Sequence, residues 1–114
     1  MKKLFTMVVA GFITIGFMTT FVSANIANGQ KLYIKKVEEF CGFNGAKFAA
    51  KHSQDEWEEI YKNGKFAEEI GKLCPKGAKV FTSDQFKKYL KDLYDFSYEY
   101  ANDSGKIPSC QGGS

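Results

Sequence analysis

The sequence predicts an all-α fold. Three observations carry this. Apolar residues recur at helical spacing in several separate segments. Start and stop signals bound those segments, as in Ser53-Gln54-Asp55-Glu56 before one and Asn63-Gly64 after it. No alternating strand pattern of useful length occurs anywhere.

The chain opens on Met1-Lys2-Lys3, followed by an apolar run from Leu4 to Val22 broken only by Thr and Gly. Val22-Ser23-Ala24 then supplies small residues. This three-part pattern predicts a secretory signal peptide over residues 1–24, cleaved after Ala24, and an exported domain in a bacterial periplasm. The run also approaches the roughly 20 residues of a membrane span. The alternative is an uncleaved anchor in the inner membrane, with the domain facing the periplasm.

The domain is expected over residues 25–110. Its first helix is predicted from Ile26 to Phe40, with Tyr33, Val37 and Phe40 on the inward face. Gly29 lies four residues before Tyr33, so a second helix can approach the first closely there. Gly42 is a stop signal, and Asn44-Gly45 reads as a turn. Ala46 to Lys51 is expected to form a short helical turn that buries Phe48. Ser53 and Glu56 match a capping box, predicting a helix from Gln54 to Lys62 with Trp57, Ile60 and Tyr61 inward. Lys65 to Leu73 is the next helix, closed by Cys74-Pro75. Lys76 to Phe81 reads as a loop. Thr82-Ser83-Asp84-Gln85 reads as a second capping box, opening the strongest helix, Ser83 to Asn102. Ile107-Pro108-Ser109-Cys110 is a returning tail, and residues 111–114 are expected to be disordered.

Composition excludes several function classes. Removing the leader leaves 90 of the 114 residues, enough for one small core. Lys2 and Lys3 leave with it, lowering the formal charge from +3 to +1. No concentrated basic stripe points to nucleic acid. The chain has no Arg, so bidentate capture of carboxylate or phosphate is absent. There is no Gly-x-Ser-x-Gly, and His52, the one His, has no evident nucleophile partner. The adjacent pairs Glu38-Glu39, Glu58-Glu59 and Glu68-Glu69 read as solvated helix faces. The chain is not expected to be an enzyme.

Gly29, Leu32-Tyr33, Lys35-Lys36, Gly42 and Gly45 together resemble the start of a small class I c-type cytochrome. The stretch Phe43 to His52, then Asp55-Glu56-Trp57, Cys74-Pro75 and Pro108-Ser109-Cys110, is similar to short bacterial chains treated as cytochrome c relatives. The resemblance covers nearly all of the exported domain. It implies a cytochrome c-like fold in which the N- and C-terminal helices cross, with short helices between. It also implies electron-transfer ancestry and a redox or respiratory protein partner in the periplasm.

The same register removes the family's chemistry. Val37 and Phe40 stand where two haem-linking Cys would be, and Cys41 stands where the iron-binding His would be. Thioether bonds cannot form to Val or Phe. The three Met residues all lie in the leader, so none remains as an iron ligand. The expectation is a haem-free binding or accessory module whose aromatic residues fill part of the haem volume. The alternative is an electron carrier with atypical, non-covalent haem held by Cys41 and His52. A zinc site from Cys41, Cys74, Cys110 and His52 has suitable ligand types but no matching spacing, so no metal is expected.

Three Cys in an exported domain permit one disulfide and leave one thiol. The preferred pairing is Cys74–Cys110, with the tail folding back along the last helix and Cys41 left as a buried, inert thiol. Cys41–Cys74, a short bridge across the vacated haem site, is the next alternative.

Overall fold

The computed structural model describes residues 24–108. The expected leader lies outside them except for Ala24, and so do Cys110 and residues 111–114. The regular structure of the described residues is all helical, with no strand among them. No described helix is long and apolar enough to cross a membrane.

The first helix is longer than expected and is not uniform. Helix α1 (Ala24–Leu32) runs into a π-helical segment, Tyr33–Val37, and then α2 (Glu38–Cys41). In the π segment the Glu38 N–H bonds to the Tyr33 carbonyl, five residues back. Gly42 ends α2 at φ 80°, a left-handed conformation that glycine adopts without penalty. Next comes α3 (Gly45–Ala49). Asn44, expected as a turn residue, caps it by accepting from the Lys47 N–H at 2.9 Å.

Helix α4 (Gln54–Lys62) has the expected bounds. Ser53 Oγ accepts from the Glu56 N–H at 3.2 Å, and Glu56 Oε1 accepts from the Ser53 N–H at 3.0 Å. Helix α5 (Phe66–Leu73) stops before Cys74-Pro75. The expected loop after it is instead a 3₁₀ turn (Pro75–Gly77) followed by helix α6 (Ala78–Phe81), which buries Phe81. Pro75 favours this by opening the turn with its fixed φ.

The last helix starts later than expected. Residues Asp84–Tyr89 are a 3₁₀ helix, and only Leu90–Glu99 is α-helix, α7. Ser83 does not cap it. The Ser83 hydroxyl donates back to the Val80 carbonyl at 2.7 Å, and the Thr82 hydroxyl donates to the Ala78 carbonyl at 3.0 Å. Both hydroxyls therefore complete the end of α6 and leave the next helix without its cap.

Helix α1 packs across α7, as expected for first and last helices. A Cβ on Gly29 would clash with the Asp92 carbonyl oxygen and lie 2.8 Å from Phe96 Cβ, so only glycine allows this approach. Asn28 Nδ2 donates to Asp92 Oδ2 at 2.6 Å beside it. The core runs from this crossing through Tyr33, Phe48, Trp57, Phe66 and Phe96. Trp57 donates to the Ala49 carbonyl at 2.9 Å, and Ser97 to the Leu93 carbonyl at 2.8 Å. Among the described residues no buried side-chain polar atom lacks a partner.

Candidate functional site

The residues at the expected haem positions are occupied by packing and by a covalent bond. Val37 is fully buried. Phe40 meets Phe81 edge-on, with ring centroids 5.6 Å apart. Cys41, at the expected iron-ligand position, is bonded to Cys74, with Cα atoms 4.5 Å apart. This corrects the preferred Cys74–Cys110 pairing, since a cysteine forms one disulfide, and it removes Cys41 as an inert thiol. The physical reason lies in the 3₁₀ turn after Cys74. A Cβ on Gly77 would lie 2.8 Å from Phe40 Cγ, so Gly77 lets the turn close against the end of α2 and bring the sulfurs together.

His52 does not face this region. Its Nε2 lies 2.7 Å from Glu69 Oε2, and its Nδ1 lies 3.2 Å from Glu56 Oε1. Its ring stands edge-on against Trp57 at 4.7 Å. A neutral imidazole donates from one nitrogen and an imidazolium from both. In either form, iron would have to displace a carboxylate partner. The Glu56 carboxyl is held below its ordinary range, mainly by the Ser53 N–H and then by His52. The structure thus joins Cys41 to Cys74 and leaves His52 with other partners. These residues do not fit an attached haem. Among the described residues no group of three or more His, Cys, Asp or Glu could hold a metal ion.

A groove of about 350 Å³ lies beside the disulfide region. One wall is the π segment and α2, which supply Lys35, Lys36, Glu39 and Phe40; the other is the 3₁₀ segment, which supplies Phe86, Lys88 and Tyr89. Side chains three apart eclipse in a 3₁₀ helix. Phe86 and Tyr89 accordingly meet as an edge-on pair, centroids 5.3 Å apart and planes at 76°. Lys36 Nζ lies 5.2 Å from the Tyr89 ring centroid and Lys88 Nζ lies 5.3 Å from it, within cation–π range. Sequence reasoning missed this site. Lys35-Lys36 and Lys88 are visible in the sequence, but nothing local says that they share a groove.

Comparison with protein families, curated proteins and solved structures found no match.

Proposed function

We propose that this chain is an exported, haem-free module of cytochrome c-like architecture, acting by binding a protein partner and not by carrying electrons. The observation that carries the reading is the Cys41–Cys74 disulfide at the position expected for the iron ligand. Phe40, at a haem-linking position, is packed against Phe81 and Gly77. The close passage of α1 over α7 at Gly29 supports the cytochrome c-like architecture. In such a module, bulky side chains and a cross-link substitute for the haem that would otherwise complete the core. The resemblance implies a partner among redox or respiratory proteins of the periplasm.

The test is an absorption spectrum of the protein purified from the periplasm of a host that makes c-type cytochromes. No Soret band is expected. A band that survives acid extraction would establish covalent haem and overturn the reading.

A further inference from the structure

Two of the described segments that depart from α geometry face each other. The π segment Tyr33–Val37 and the six-residue 3₁₀ run Asp84–Tyr89 form opposite walls of the same groove. Such segments are energetically poorer than α-helix; 3₁₀ runs beyond three or four residues are uncommon, and π turns are frequent at functional sites. Both irregular turns bring lysines to one aromatic surface. Lys36 reaches Tyr89 from one wall and Lys88 reaches it from the other. Val80, 42 % exposed, adds an apolar rim.

From this geometry we infer that the groove is a docking site for a short acidic segment of a partner protein, with an apolar or aromatic residue set between carboxylates. The inference deepens the binding role proposed above and rests on it. The cations decide the class of occupant. They are ammonium groups on flexible stems, with no Arg to form a rigid fork. They lie along a groove and flank a ring, so they match charges spaced along a chain. The partly exposed rings of Phe40 and Tyr89, backed by the buried Phe86, take the apolar residue between those charges. Glu39 on the same wall opposes an unbroken polyanion such as nucleic acid.

The experiment is an NMR titration of ¹⁵N-labelled protein, recovered after export, with acetyl-Glu-Glu-Phe-Glu-Glu-amide. Amides of Lys36, Phe40, Lys88 and Tyr89 should shift together and saturably. Affinity should fall by at least about tenfold when the carboxylates are replaced by Gln, or when salt is raised from about 0.05 to 0.5 M, since exposed charges are screened. The double variant Lys36→Glu with Lys88→Glu should lose binding by a similar factor. Lys62→Glu with Lys65→Glu makes the same change in net charge away from the groove and should retain it. Both variants should keep the parent's far-ultraviolet circular dichroism.

Several results would overturn the inference. They are no saturable shift, equal binding of the Gln peptide, equal loss in both double variants, displacement of the peptide by equimolar phosphate or phenylacetate, or binding to phosphatidylglycerol vesicles without binding to the peptide. A Soret band would sink the haem-free reading and leave this titration interpretable, so the two failures are distinguishable.

Discussion

The two halves of this domain are held by different means. At the crossing, α1 and α7 approach until glycine alone fits, and Tyr33, at the junction of α1 and the π segment, is buried against Phe48 and Phe96, with centroids 5.0 and 6.3 Å apart. From Tyr33 onward this contact network changes: a π segment, later 3₁₀ turns, the edge-on Phe40–Phe81 contact and a disulfide hold the other half. The first half is specified by backbone proximity. The second relies on a covalent bond, which lets it carry irregular helices that local propensity would not sustain. The contrast suggests where this fold tolerates change and where it does not.

The largest expected effect is at the crossing. Gly29→Leu should destabilise by at least about 4 kcal/mol, above the usual 1–3 for overpacking, because the clash at Asp92 is with backbone. Chemical denaturation measures it. An unchanged melting temperature would mean that α1 does not pass over α7 at this residue.

Breaking the other half comes next. Cys41 and Cys74 are 33 residues apart in sequence, and closing such a loop contributes roughly 3–4 kcal/mol in the chain-entropy model. Replacing both by Ala should lower the melting temperature by roughly 15–30 °C, given about 4–8 °C per kcal/mol for a domain of this size. Hydrogen exchange resolves the same loss by region. Amides from Val37 to Cys41 and in the 3₁₀ segment should lose protection, while those of α7 near Leu93 keep theirs. Uniform loss would show that the halves are one cooperative unit.

Much of the first half was legible in the sequence, and the reason is local chemistry. Ser53 and Glu56 face each other three residues apart, so the bounds of α4 follow from the capping box alone. Gly29 and Tyr33 sit on one helical face, so spacing allows a close approach there, while the crossing with the last helix was what the resemblance implied. The second half was less legible because its choices are not local. Thr82 and Ser83 have the residue types of a forward cap, but their hydroxyls bond backward to α6, and the 3₁₀ run results. The partner of Cys74 depends on Gly77 admitting Phe40, a contact between segments far apart in the chain. The groove depends on both departures at once.

A smaller effect separates the halves by pH. Tyr33 donates to the Phe43 carbonyl at 2.5 Å, and burial, with Glu38 adding to it, pushes its phenol well above the ordinary 10.0. The folded state therefore holds a proton that the unfolded chain releases above pH 10.0. Tyr33 contributes full stability below that pH and loses it as pH rises toward the folded value. Tyr33→Phe should cost about 1 kcal/mol at pH 7, through the lost hydrogen bond. It should also make the decline in stability above pH 10 shallower in denaturation series. An unchanged slope would remove Tyr33 as the cause.

The smallest effect lies at the acid end. Glu56 is held below its ordinary 4.5 by the Ser53 N–H first and His52 second. Its contribution is present above pH 4.5 and is lost as pH falls through the lowered folded value. Ser53→Ala should cost about 1 kcal/mol through the lost cap, and Glu56→Gln should flatten the stability profile below pH 4.5 without reaching the disulfide half.

The central claim is that a disulfide stands where the resemblance would place haem chemistry. Non-reducing tryptic mapping of protein exported from a host that makes c-type cytochromes tests it directly. The peptide spanning residues 37–47 should be joined to the peptide spanning 73–76, with neither carrying haem. A 73–76 peptide joined instead to the one beginning at residue 107, or any haem-bearing peptide, would contradict the account.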